Sequence, residues 1–225
     1  MFNHPLVGVF PGEDDADEDL TGLSLLALAG AAAASGDCVP TFLGGNFLGC
    51  PLSLSAAVTT PYGPSGATTT LGDTDGTGNT ARFRFLGAIA SDGTDFYVAD
   101  TGNHKIRRIV VTTGAVTTPY GPAAGSNPSG NADGTGNAAT FNNPTGITSD
   151  GSSLFISDLA NNKIRRIVLA TGVVTTFAGP APGSTAAGDT DATGNAALFS
   201  FPAGIKNDGK DLNVADALKN KIRQI

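Results

Sequence analysis

The chain has 225 residues, with 13 Lys plus Arg against 20 Asp plus Glu and a formal net charge of −7. That balance argues against a nucleic-acid partner, because phosphate binding needs a net basic surface. At 40% hydrophobic and 15% charged, the chain is also too apolar and too weakly charged to be wholly disordered.

In chain order, residues 1–56 form a separate leader. It has no Lys or Arg and carries an acidic cluster of Glu13, Asp14, Asp15, Asp17, Glu18 and Asp19. Leu23 to Ser35 is a thirteen-residue apolar run, shorter than the ~20 residues needed to span a bilayer. Its length and the Ala-x-Ala at Ala32 to Ala34 suit a secretory segment, but the acidic flank does not. An ordinary helix or linker is the other reading. Cys38 and Cys50 are the only cysteines. In an exported protein they can pair across a short loop, and otherwise they are two reduced thiols.

Residues 57–225 repeat. The string AVTTPYGP spans Ala57 to Pro64 and again Ala115 to Pro122, with VVTTFAGP at Val173 to Pro180. KIRRIV occurs at Lys105 and at Lys163, and KIRQI begins at Lys221. Phe83, Phe141 and Phe199 share the same 58-residue spacing, without insertion or deletion. The units 57–114, 115–172 and 173–225 balance five acids with five bases, three with three and five with five. The net charge therefore lies wholly in the leader.

The middle unit predicts four short strands. Gly146 to Ser149 is followed by Asp150-Gly151, a hairpin turn. Leu154 to Ser157 then runs to Asp158. Asn161 and Asn162 turn the chain into Lys163 to Leu169, and Thr171-Gly172 turns it into Val173 to Phe177. Both faces of the third strand carry apolar residues, so both are expected to be covered. An antiparallel meander covered on both faces is a blade of a β-propeller. The expected class is all-β, a partial or incomplete propeller.

These units resemble NHL repeats. The residues that carry the likeness are FLGAIASDGTDFYVADTGNHKIRRI from Phe85, NNPTGITSDGSSLFISDLANNKIRRI from Asn142 and SFPAGIKNDGKDLNVADALKNKIRQI from Ser200. The first contains the Asn103-His104 pair for which such repeats are named. The connection from Asp133 to Phe141 is similar to that of bacterial extracytoplasmic NHL proteins. The resemblance implies blades that bind, sense or, in a few members, catalyse. Closed propellers carry about 4–8 blades, and three units are visible here. The readings are a fragment, a ring of two chains, or a degenerate fourth blade in 1–56. In a closed arc, residues 57–63 would complete the last blade as its fourth strand. Open blade edges invite self-association.

Two constellations carry candidate chemistry. Asp73, Asp75 and Asn79 recur as Asp133 and Asn137, with Asn131 in place of the first acid, and as Asp189, Asp191 and Asn195. Oxygen ligands alternating around glycine can wrap calcium. The twelfth position, glutamate in an EF-hand, holds Arg84, Asn142 or Ser200, and turn capping explains the same residues. No cofactor other than calcium is suggested. The second set pairs Asp100, Asp158 and Asp216 with Arg107, Arg165 and Arg223, seven residues on. The resemblance implies acid–base pairs that tie strands together. His104, whose equivalents are Asn162 and Asn220, reads as a polar turn residue.

Identical residues in every unit point to scaffolding, since an active site needs different groups to converge. The expected inner strands, Ala88 to Ser91, Gly146 to Ser149 and Gly204 to Asn207, offer almost nothing that binds metal or moves protons. The expected function is therefore a non-catalytic scaffold or module for a protein or glycan, in an extracytoplasmic or secreted setting. The alternative is a hydrolase or lyase of propeller type with an axial metal.

Overall fold

The computed structural model describes residues 41–43, 46–48, 56–65 and 70–225. It divides into residues 1–57 and 58–225. In the first unit, β1 (Thr41–Leu43) and β2 (Asn46–Leu48) form an antiparallel hairpin. The acidic cluster, the apolar run, Cys38 and Cys50 lie outside the described residues.

The second unit is built from tight turns and short β-branched runs. The first sheet contains β3 (Gly76–Thr77), β4 (Leu86–Ser91), β5 (Phe96–Asp100), β6 (Lys105–Val110) and β7 (Ala115–Tyr120), in the order β3-β7-β6-β5-β4. The second repeats it with β8 (Gly134–Thr135), β9 (Pro144–Ser149), β10 (Ser153–Asp158), β11 (Lys163–Val168) and β12 (Val173–Ala178). The third contains β13 (Pro202–Asn207), β14 (Leu212–Asp216) and β15 (Lys221–Gln224). All pairings are antiparallel. Each sheet is a propeller blade, and the described residues contain no α-helix.

The first hairpin of each blade is set by an aspartate that caps its own turn. Asp92 Oδ1 accepts from Thr94 N and Asp95 N, both at 2.8 Å, and Asp150 and Asp208 do the same in their blades. The second hairpin is a 3-10 turn ending in a left-handed residue: His104, Asn162 or Asn220. The expected strands of the middle unit are present, each extended by one or two residues or shortened by one. The structure adds the two-residue strands β3 and β8. β12 closes the second blade as the fourth strand of the expected meander, and β7 does the same in the first, although each falls at the start of the next 58-residue unit.

Residues 57–63 differ from expectation. They are not a strand and do not complete the third blade. They run beside the first blade, where Gly63 N donates to Gly78 O at 3.3 Å, as Gly121 N does to Gly136 O one blade later. Segment 57–63 therefore holds the place of an outer strand of a preceding blade. Among the described residues the blades form an open array.

Apolar side chains fill the two interblade seams. Tyr97, Ala99, Ile106 and Tyr120 of the first blade meet Phe141, Ile147, Ile156 and Ile167 of the second. Phe155, Ile164 and Ala178 meet Phe199, Ile205 and Val214. Both faces of β11 are thus covered. The inner strands β4, β9 and β13 are neighbours along the axis, and glycine permits their approach. A methyl group on Gly146 would collide with the carbonyl oxygen of Ala203. Gly146→Ala is expected to cost about 1–3 kcal/mol through overpacking. Gly204→Ala, whose new methyl would have Ala215 Cβ at 3.8 Å, should change stability by less than about 0.5 kcal/mol. Urea denaturation of the two variants checks the contrast.

Candidate functional site

The most elaborate polar arrangement is an arginine buried in each blade. Arg107 rises from β6 and is fully buried. Its Nη1 donates to Asp100 Oδ2 and to Arg82 O, both at 2.8 Å. Its Nη2 donates to Asp75 Oδ1 at 2.8 Å and to Thr74 O at 3.0 Å. Asp100, at the end of β5, is also fully buried and accepts from Arg84 N and Asn103 Nδ2. The Phe83 ring lies under the guanidinium, 5.0 Å from its carbon.

The middle blade repeats this geometry. Arg165 reaches Asp158 at 2.9 Å and Asp133 at 2.8 Å and stacks on Phe141. In the third blade, Arg223 reaches Asp216 at 3.0 Å, contacts Asp191 and stacks on Phe199. Burial raises the Asp158 carboxyl, and Arg165, Asn161 and the Asn142 amide oppose that effect.

The loop carboxylates therefore face cations and amides. Asp75 also accepts from Thr118 N and Oγ1, and Asp133 from Thr176 N and Oγ1. Asp73 accepts from Lys105 and Gly125 N, and Asp189 from Lys221. Burial pulls the Asp73 carboxyl upward, but Lys105, Gly125 N and Arg107 outweigh it and hold it below its ordinary range. Asn137 Nδ2 donates to Thr118 O and Gly121 O. With its amide turned to donate, Asn79 reaches Thr60 O and Pro61 O. Asn195 is exposed. Among the described residues no three His, Cys, Asp or Glu side chains gather at metal-binding distance.

His104 is more than a turn residue. Its Nδ1 accepts from Asn143 N at 3.1 Å, which joins the first blade to the second. Asn162 Oδ1 accepts from Phe201 N at 2.9 Å and joins the second to the third. Burial lowers the His104 imidazole below its ordinary value, with Arg84 and Lys105 adding to the effect.

The amides held by this clasp belong to a rim at the entrance to the inner strands. Phe85, Asn143 and Phe201 are equivalent and all left-handed, at φ 49°, 54° and 57°. Phe85 is 66% exposed and Phe201 41%, and Arg84 lies over the Phe85 ring at 5.6 Å. Sequence reading passed over this rim, although its signal is the residue two places after Phe83, Phe141 and Phe199. On the inner strands themselves the one titratable side chain is Lys206. Asn207 is occupied between blades by Thr148 and Ser149.

These blades, pinned by one repeated clasp, define a β-propeller repeat protein. No family model matches the chain. It is 35% identical over 97 residues to NHL repeat-containing protein 2 of Gallus gallus, covering 42% of this chain and 13% of that protein. With the Bos taurus protein of that name it shares 34% over 110 residues, 47% of this chain and 15% of that one. An auxiliary nutrient binding protein from Bacteroides ovatus superposes with a TM-score of 0.53 at 20% identity, over 66% of this chain and 38% of that chain. A Bacteroides thetaiotaomicron structure gives a TM-score of 0.51 at 26% identity, over 58% and 32%. The chain thus spans about a seventh of its curated relatives' length. These likenesses support an NHL-repeat family for the 58-residue unit.

Two outcomes follow from the clasps. Asp158→Ala takes the fully buried carboxylate from Arg165, leaves it only the partly exposed Asp133, and should cost about 3–5 kcal/mol. Asp191→Ala, at a carboxylate 94% exposed, should cost about 0–1 kcal/mol; denaturant titration separates them. For His104, the folded imidazole binds its proton less readily than the unfolded one. Its contribution is therefore complete above the unfolded value of about 6.5 and is lost as pH falls below it. His104→Asn keeps an acceptor, as Asn162 does, and should flatten that loss in Tm measured between pH 7 and pH 5.

Proposed function

We propose that the protein is a non-catalytic binding module that takes a protein or glycan ligand on the rim of Phe85, Asn143 and Phe201. The observation that carries this reading is a double conflict at two equivalent positions. A left-handed backbone costs a bulky side chain about 1–3 kcal/mol, and rings left 66% and 41% exposed return only part of their burial energy. Asn143 shows that the position accepts a residue with neither cost. Phenylalanine at 85 and 201 is therefore explained by something the ring touches outside the blade. Exposed, rigid aromatic faces suit apolar protein anchors and the faces of sugar rings.

The remaining ionisable groups support a binding role. Arg107, Arg165 and Arg223 and most of the repeated aspartates are engaged inside the blades, and the inner strands present few groups that move protons. Small oxygen-rich loops and a lone pair of cysteines agree with an extracytoplasmic or secreted setting.

Arrays of immobilised glycans and of peptides test the proposal. Wild type should be retained by members of one class. The double variant Phe85→Asn/Phe201→Asn should bind at least about tenfold more weakly, the worth of one buried aromatic contact, with Tm unchanged or raised. Undiminished binding, or a lower Tm in the variant, overturns the rim. Turnover together with a stoichiometric transition metal in the purified protein would favour the axial-metal alternative.

A further inference from the structure

Among the described residues the third blade has three strands, whereas the first two have a fourth, β7 or β12. Where that strand would lie there is a slot of about 690 Å³. It is lined by Lys221 to Ile225 on the β15 side and by Asp191 to Gly194 on the loop side. In the other blades the same two stretches hold the fourth strand between them: β7 lies between β6 and β3, and β12 between β11 and β8. Asp75 and Asp133 accept from the threonine amide and hydroxyl of that strand. Asp191, the equivalent acid, is 94% exposed.

The sequence that fills this slot elsewhere is present at the other end of the array. Val58 to Pro64 reads VTTPYGP, identical to Val116 to Pro122. It belongs to no sheet, and Val58 is 96% exposed where Val116 and Val174 are buried. The apolar residues exposed at the two ends are also those that the interior seams bury. On the third blade Ile222 is 74% exposed, whereas Ile106 and Ile164 are fully buried against the following blade. On the first blade Ile89 is 57% exposed, whereas Ile147 and Ile205 are buried against the preceding one. Asn220 stands where His104 and Asn162 accept from the amides of Asn143 and Phe201, and the equivalent amide is that of Phe85. An open strand edge beside an apolar face is a template for strand addition.

We propose that a second copy of this chain docks its first blade against the third blade of the first copy. Val58 to Pro64 of the one enters the slot beside β15 of the other. The strand runs antiparallel to β15, and the register of the interior blades sets Tyr62 opposite Ile222, Thr60 opposite Arg223 and Val58 opposite Ile225. Thr60 then meets Asp191, and Asn220 meets the Phe85 amide. The interface joins unlike surfaces, so each copy offers both halves. Two copies bring six blades together, within the range of about 4–8 in closed propellers, and the pair closes on itself.

Sedimentation equilibrium of the purified chain should show twice the chain mass, dissociating on dilution. Ile222→Asp blocks the slot and Val58→Asp blocks the strand. Both side chains are exposed in the single chain, so each variant should keep its circular dichroism and Tm as a monomer. Mixed, the two variants should form a one-to-one dimer, because one retains a usable strand and the other a usable slot. That dimer should be weaker than wild type, since one interface replaces two. A wild-type chain that stays monomeric at its highest soluble concentration overturns the proposal, as does a mixture that stays monomeric. Association that survives Val58→Asp also overturns it, because copies then meet through other surfaces.

Discussion

A guanidinium withdrawn from water loses several kcal/mol of solvation, and it is tolerated only when acceptors replace the water. Arg107 and Arg165 meet that demand with four hydrogen bonds each, drawn from three separate stretches of chain. One stretch is the end of the second strand of the blade. Another is the segment entering the inner strand, through Arg82 O or Thr140 O. The last is the connection before it, through Thr74 and Asp75 or Ala132 and Asp133. That connection runs from Tyr120 to Pro144 with only the two residues of β8 in a ladder. A segment of that length has a large ordering entropy to overcome. The arginine overcomes it by holding the loop to the sheet at a point where leaving would expose buried charge. The Phe ring beneath the guanidinium closes its remaining face, and Nε of Arg107 and of Arg165 is left without a partner there. The clasp therefore binds sheet, loop and inner-strand entrance as one unit, and the rim rides on that unit.

The blades were legible because their determinants are local. An Asp-Gly turn, β-branched runs and a left-handed Asn or His each act within a few residues, and a constant period of 58 lets one unit check another. The strands of the middle blade follow from these cues to within two residues. The Thr171-Gly172 turn likewise places Val173 to Phe177 in the blade that begins at Gly146, and β12 pairs with β11 there. The two-residue strands β3 and β8 did not follow, because so short a segment carries no period. The role of the Asp-x-Asp loop was hidden for a related reason. Its composition suits a cation ligand and a turn cap equally, and the group that Asp75 faces is Arg107, 32 residues away. His104 meets its partner 39 residues on, across a seam. Contacts of that range come from the fold and leave no mark in a local window.

Internal repetition also separates two kinds of residue. Where all three units keep a side chain, its reason lies within the blade, as for the Arg, its Asp and the Phe beneath. Where they differ, two cases arise. His104 and Asn162 are different residues that present the same kind of acceptor at the same point, so the seam is indifferent to the exchange at neutral pH. Asn131 and the rim are not equivalent exchanges. Asparagine for aspartate beside Lys163 removes a charge from the middle blade. Phenylalanine at 85 and 201 adds an exposed ring on a backbone that suits the asparagine at 143. Neither change improves the blade that contains it. A repeat scaffold whose blades are each electrically balanced and internally satisfied has little to offer a ligand except at such positions. The physical case for binding therefore rests on where the repeat is broken.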